Sequence, residues 1–143
     1  MLTNNILLID DDPEDFDIFC GALATLDKSI DCIGATSCSD GFSKLEASSG
    51  IPRYIFLDLN MPFVNGFECL YQIKNDDSLA QIPIVIFSTS NDPRDRETTQ
   101  KMGASLFFSK PNEFGELKSK LARILHLQDL SINSQLKQKY KIS

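Results

Sequence analysis

A single histidine, four cysteines with no CxxC pair and no long apolar run mark what this 143-residue chain lacks. The one histidine, His126, falls late in an apolar helical pattern. That argues against a zinc site or a histidine-based catalytic triad. Basic residues are outnumbered, 14 Lys and Arg against 20 Asp and Glu, for a formal net charge of -6. Such a balance is not that of a nucleic-acid binder, which shows a basic face. The N-terminal MLTNN has no basic region, and the apolar run Ile6–Ile9 stops at a series of acids. Neither a signal peptide nor a membrane span is expected, and the expected location is the cytoplasm. In that reducing compartment Cys20, Cys32, Cys38 and Cys69 are expected as free thiols at core or near-core positions. There is no internal repeat and no low-complexity stretch.

What is present is one domain's worth of residues, 42% of them hydrophobic and 24% charged, enough for a single sizeable core. Short apolar runs suited to buried strands occur at Ile6–Ile9, Ile30–Ala35, Tyr54–Leu57, Ile84–Phe87 and Ser105–Phe108. Helical spacing fills the gaps. Phe16, Phe19, Cys20, Leu23 and Leu26 share one helix face, and Pro13 suits that helix's first turn. A second helix is expected from about Ser39 to before Ser48. A third runs from about Gly66 and fades at Asn75–Asp77. A fourth starts after the SNDP at 90–93 and is capped by Gly103. A fifth covers about Glu113–Leu125. Strands that are apolar throughout, alternating with helices, imply a parallel sheet covered on both faces. The expected fold is therefore α/β, an open doubly wound sheet with right-handed crossovers.

Ligands in such sheets sit at the carboxyl ends of the strands. That rule gathers Asp10–Asp12 after the first strand, Asp58 after the third, Ser88 and Thr89 after the fourth and Lys110 after the fifth. If two of Asp10, Asp11 and Asp58 lie about 5 Å apart, their repulsion is roughly 3 kcal/mol at an effective dielectric of about 20. A hard cation such as Mg²⁺, which takes oxygen ligands and keeps several waters, removes that repulsion. The competing reading is a capping one. Asp11 or Asp12 serves as helix N-cap before Pro13, and Glu14 and Asp15 favour the helix's positive end. The Asp58 carboxylate is a candidate nucleophile towards phosphorus. Ser88 is a candidate hydrogen-bond donor to a phosphoryl oxygen, and Lys110 a mobile cation for a carboxylate or a phosphoryl group.

The stretches LLIDDDP, FLDLNMPFVNGFE, IPIVIFSTS and GASLFFSKP, in this order over about Asn5–Leu125, resemble the response-regulator receiver domain, most simply its stand-alone chemotaxis-regulator-like type. The resemblance implies a flavodoxin-like five-stranded sheet in the order 2-1-3-4-5, with the domain over 1–127 and a helical extension or tail over 128–143. It implies a two-component phosphorelay role in which Asp58 accepts a phosphoryl group from a histidine kinase or phosphotransfer protein. The implied Mg²⁺ ligands are Asp10, Asp11, Asp58 and the backbone carbonyl of Asn60, with Asp12 an extra acid. Ser88 stands as the switch hydroxyl and Phe107 as the switch aromatic, with no hydroxyl of its own to offer. Thr89 is implied to narrow access to the phosphoryl group, and Asn60 and Ser90 to flank the path of the hydrolytic water. Pro111 is implied to follow a cis peptide bond. The chain is expected to act as a switch rather than as an enzyme. Its output is expected to be protein contact through the fourth helix, fifth strand and fifth helix, without DNA or membrane binding. Two other readings are a Mg²⁺-dependent phosphohydrolase using Asp58 and a binding module that no longer takes phosphate. The first lacks an acid at position 60, where Asn60 cannot act as general acid or base.

Overall fold

The computed structural model describes residues 3–126. Strand and helix alternate as β1 (Asn5–Ile9), α1 (Pro13–Leu26), β2 (Asp31–Ala35), α2 (Cys38–Ala47) and β3 (Tyr54–Leu57). The series continues as α3 (Gly66–Lys74), β4 (Ile84–Ser88), α4 (Pro93–Lys101), β5 (Leu106–Ser109) and α5 (Phe114–Leu125). All neighbouring strands are parallel, in the order β2-β1-β3-β4-β5. This is the doubly wound sheet and strand order expected above. The expected strand ends shift by one residue where pairing decides them. Ser88 pairs with Ser109, which carries both strands to their hydroxyl residues. The expected extension over 128–143 lies outside the described residues.

Because side chains alternate across a strand, the sheet builds two cores. Ile6, Leu8, Phe56, Val85 and Phe108 face Phe19 and Leu23 of α1 and Leu117, Leu121 and Ile124 of α5. Leu7, Ile9, Ile55, Leu57, Ile86 and Phe107 face the other way, with Cys69, Leu70 and Ile73 of α3. Phe19 is the hinge of the first core. Its ring lies 4.8 Å from that of Phe56 and 5.4 Å from that of Phe87, tilted geometries that favour aromatic pairs.

Four helices start on side-chain caps. The oxygens of Asp12, Ser37, Asn65 and Asp92 accept from the backbone N–H groups of Glu14, Asp40, Glu68 and Arg94. Asp12, not Asp11, is thus the cap of α1, with Pro13 at the first helical position, and α4 likewise begins on Pro93. Gly103 follows the end of α4 with φ +103°, the left-handed conformation that glycine adopts without steric cost.

The cysteines depart from expectation. Cys20 of α1 is bonded to Cys32 of β2 and Cys38 of α2 to Cys69 of α3, so no described cysteine is the free thiol expected. Their near-core placement holds, with Cys38 and Cys69 buried. Partners 12 and 31 residues apart meet only once the helices pack, at a Cα–Cα separation of 5.7 Å in both pairs, which suits a disulfide. Sequence spacing carries no trace of that meeting.

Gly66 opens α3 against the backbone that follows β3. A Cβ built there would stand 2.2 Å from the carbonyl oxygen of Asp58. Gly21, exposed on α1, has open space instead, with nothing within 4 Å. The two glycine-to-alanine substitutions are therefore expected to have opposite signs. Gly66→Ala is expected to destabilise by about 1–3 kcal/mol through overpacking. Gly21→Ala is expected to stabilise by about 0.5–1 kcal/mol through helix propensity. Urea denaturation of the two variants beside the wild type checks both.

Candidate functional site

Sheet register brings the chemistry to one rim. Ile9 pairs with Leu57, so the residues that follow, Asp10 and Asp58, leave adjacent strands side by side. Asp58 N–H donates to the Ile9 carbonyl at 3.0 Å, and Asp10 N–H to the Ala35 carbonyl at 2.9 Å. At the other side of β3, Lys110 N–H donates to the Ser88 carbonyl at 2.8 Å, which aims the lysine back along the same rim. The Lys110–Pro111 bond is trans, not the cis bond implied earlier, as no described peptide bond is cis. Trans is the ordinary preference of an X–Pro bond.

The side chains then meet. Lys110 Nζ donates to Asp10 Oδ2 at 2.8 Å and to Asp15 Oδ2 at 2.7 Å, and stands 3.5 Å from Asp58 Oδ2. Asp10 and Asp58 are almost wholly buried, at 3% and 4% exposure, and Ser88 is fully so. Asp11 is exposed, yet one carboxylate oxygen from each of Asp10, Asp11 and Asp58 falls within 4.8 Å of the others. Asp10 Oδ1 accepts from the Asp12 N–H at 3.0 Å, and Asp58 Oδ1 from the Asn60 N–H at 3.2 Å. The Asn60 amide reaches the Ser88 and Thr89 hydroxyls at 3.5 Å each, and the Ser90 N–H donates to Ser88 Oγ at 3.2 Å. An open cleft above these groups is lined by Asp11, Asp12, Pro13, Asp15, Thr89 and Lys110 among others.

Electrostatics follow from burial. Burial pushes the Asp58 carboxyl from 3.8 up to about 6, against the pull of the Lys110 charge and the Asn60 N–H and with the repulsion of Asp10 added. Asp10 is raised for the same first reason, with Lys110 and the Asp12 N–H working against it. Burial disfavours the Lys110 ammonium, but its hydrogen bonds to Asp10 and Asp15 and the charge of Asp58 together hold its pKa above the usual lysine value. The lysine is a fixed positive charge across the accessible pH range.

The sequence-identified Asp10, Asp11, Asp58, Asn60, Ser88 and Lys110 are thus brought together. Phe107 lies one layer below, fully buried, with the Arg96 guanidinium carbon 4.6 Å from its ring centroid. Arg96 also donates to Ser109 Oγ at 3.0 Å. Two participants are not singled out by the sequence reading: Asp15, which it takes as an acid at the positive end of α1, and Arg96 of α4, on which it is silent. No sequence signal separates the two roles of Asp15, since an acid in a first helical turn is explained by the helix's positive end alone.

A family profile described as response regulator receiver domain matches residues 6–122. The chain belongs to that family. Among solved structures, the phosphorylated cyanobacterial phytochrome response regulator RcpA superposes with a TM-score of 0.76 at 26% identity, over 84% of this chain and 89% of that one. The Mn²⁺-bound form of response regulator Rcp1 superposes with a TM-score of 0.75 at 24% identity, over 90% and 96%, a likeness of fold. The nitrate/nitrite response regulator NarL of Escherichia coli K12 is 34% identical over 109 residues, 76% of this chain and 48% of NarL. The probable methanogenesis regulatory protein FilR2 of Methanothrix harundinacea is 35% identical over 74 residues, 52% of this chain and 48% of FilR2. The receiver domain thus spans about half or less of the length of these curated relatives.

A carboxylate at about 6 in the folded receiver and 3.8 in the unfolded chain makes stability depend on pH. Between those values the native state holds more protons, so without added metal this group's contribution falls as pH rises through the window. At one pKa unit per 1.36 kcal/mol, the penalty above pH 6 is about 3 kcal/mol at most. Asp58→Asn is expected to remove it, raising stability at pH 8 in EDTA and flattening the decline between about pH 4 and pH 8, most of which falls below pH 6. Denaturant unfolding across that range checks the prediction. A variant no more stable than wild type at pH 8 contradicts it.

Proposed function

We propose that this receiver domain is a two-component phosphoacceptor. Asp58 takes a phosphoryl group from a phosphohistidine on a histidine kinase or phosphotransfer protein. One observation carries the reading: the buried Asp58 carboxylate lies 3.5 Å from the Lys110 ammonium and beside the carboxylates of Asp10 and Asp11. The phosphorylated state in which RcpA was crystallised supports it from outside.

The donor set fits a hard divalent cation. Three carboxylate oxygens converge within 4.8 Å, and burial has made two of the groups, Asp10 and Asp58, reluctant to carry their charge alone. Asp10, Asp11, Asp58 and the backbone carbonyl of Asn60 would hold Mg²⁺, which when bound neutralises charge on the transferring phosphoryl oxygens. The rest falls to the chain. An Asp58 oxygen forms a bond to phosphorus while the bond from phosphorus to the leaving group breaks, and the electron pair departs with that group. Transfer of this kind rests on positioning and charge neutralisation rather than proton chemistry. Lys110, already ionised and aimed by its backbone bond to Ser88, supplies the charge. Ser88 offers its hydroxyl to a phosphoryl oxygen and leaves the Asn60 amide to do so.

The added group brings up to about two negative charges to the rim. Movement of Ser88 towards them frees space above Phe107, and the α4–β5–α5 face, where Arg96 covers that ring, is where a downstream protein would read the change. An enzyme of the phosphohydrolase kind is the weaker reading. The residue two after Asp58 is Asn60, whose amide N–H groups donate to hydroxyls but do not ionise, so it cannot serve as general acid or base. A cytoplasmic setting, where such phosphodonors reside, goes with the proposal. No helix among the described residues is long and apolar enough to cross a membrane.

With Mg²⁺ and acetyl phosphate, intact-mass measurement is expected to find a single phosphoryl group on wild type and none on Asp58→Asn. Lys110→Ala is expected to slow the labelling on the order of 10²-fold, the usual cost of removing one transition-state charge partner. Sustained turnover of phosphate esters would point to the hydrolase. Absence of label with acetyl phosphate and with phosphohistidine donors would point to a silent binding module.

A further inference from the structure

Lys110 does not spend its shortest bonds on the acceptor. Its ammonium is 2.7 Å from Asp15 and 2.8 Å from Asp10, but 3.5 Å from Asp58. Of the three carboxylates, those of Asp10 and Asp58 are shut in, with side chains 0% and 5% exposed, whereas that of Asp15 is 34% exposed at the cleft mouth. Asp15 stands in the first turn of α1, where acids are favoured by the helix's positive end. Capping there is already done by Asp12, which accepts the Glu14 N–H. The Asp15 carboxylate is instead turned to the lysine, across 95 residues of sequence.

We propose that Asp15 is a positioning residue that sets the rate of phosphorylation by drawing the Lys110 ammonium towards the cleft mouth and away from Asp58. The inference rests on Asp58 being the acceptor. For each transfer from acetyl phosphate, an Asp58 carboxylate oxygen forms a bond to phosphorus and the phosphorus–oxygen bond to the acetyl group breaks. The electron pair leaves with acetate, and no proton is gained or lost. The phosphoryl oxygens need the lysine's charge at that moment. Asp15, acting as an ionised acceptor in a charge-assisted hydrogen bond, competes with them for it. Asp10 cannot play this part, because it lies in the acidic group beside Asp58 and holds the ammonium on the inner side.

The test compares labelling rates of wild type, Asp15→Asn, Asp15→Glu, Lys110→Ala and the Asp15→Asn/Lys110→Ala double variant. Each is measured with Mg²⁺ and acetyl phosphate, with circular dichroism to verify folding. Asp15→Asn keeps the shape and removes the charge, and it is expected to label roughly three- to tenfold faster. Asp15→Glu restores the charge and is expected to bring the rate back towards wild type. In the Lys110→Ala background the same Asp15→Asn change is expected to give no acceleration, a coupling that a purely structural role of Asp15 would not produce. An equal acceleration with and without the lysine overturns the proposal, since Asp15 would then act by repelling the anionic donor directly. Labelling of Asp15→Asn at the wild-type rate overturns it too, while leaving Asp58 as the acceptor. Failure of wild type to label with acetyl phosphate and with a phosphohistidine donor alike removes the phosphoacceptor reading and this inference with it.

Discussion

The Lys110 ammonium, held between Asp10 and Asp15 and 3.5 Å from Asp58, is the contact on which the rim depends. It ties the end of β5 to the end of β1 and the start of α1, two places a hundred residues apart in the chain. Removing water from several carboxylates at once is costly unless they are paired. Here one cation faces three of them, too few to satisfy all. Asp58 and Asp10 are both raised by burial in spite of the lysine. The result is a cluster held together but left short of positive charge, the condition under which a bound divalent cation or a redistribution of the lysine has most effect.

The sheet makes this possible without help from the loops. Parallel strands in register deliver their C-terminal residues to one level, so Asp10, Asp58, Ser88 and Lys110 need no long connections to meet. Local devices then refine the aim. The Asp12 cap turns α1 away directly after the acids. Gly66 lets α3 begin against the Asp58 carbonyl, an approach that any Cβ would block. The trans Lys110–Pro111 bond is compatible with this geometry because the strand pairing, through the Lys110 N–H to the Ser88 carbonyl, already directs the lysine.

Most of this is legible in the residues, for a physical reason. A strand buried on both faces is apolar along its whole length. Tyr54–Leu57 and Ile6–Ile9 therefore stand out, and the polar residue that ends each run must lie where the sheet opens. Asp58, Asp10 and Lys110 can be found in this way. Asp15 cannot, because a helix N-terminus explains an acid there equally well and only the reach of the Lys110 side chain from beyond β5 shows which partner it takes. Arg96 is hidden similarly. α4 is polar along most of its length, with Thr99 its one buried residue, and nothing in the pattern says that one arginine folds back over Phe107. The cysteine pairs are a third such case, being contacts between elements that no local periodicity encodes. What the sequence alone conveys is each element's own face. What it withholds is which long side chain crosses between two faces.

The same logic explains why a domain of this kind carries a destabilised carboxylate in its native state. A penalty of at most about 3 kcal/mol at neutral pH, metal absent, compares with the roughly 5–15 kcal/mol that holds an ordinary domain together. The two cores of the sheet absorb it. Phe19, Phe56, Phe87 and Phe108 form an unbroken aromatic contact beneath the rim on one face, and Phe107 and the aliphatic residues of β1, β3 and β4 fill the other. Stability and responsiveness are thereby kept apart. The cores set whether the chain folds, and the strained charge at their upper edge sets how strongly the fold reacts to whatever neutralises or adds to it. A rim satisfied by a second buried cation would be more stable, but its carboxylates would then no longer be short of positive charge, and a bound divalent cation would change the balance at Asp58 less.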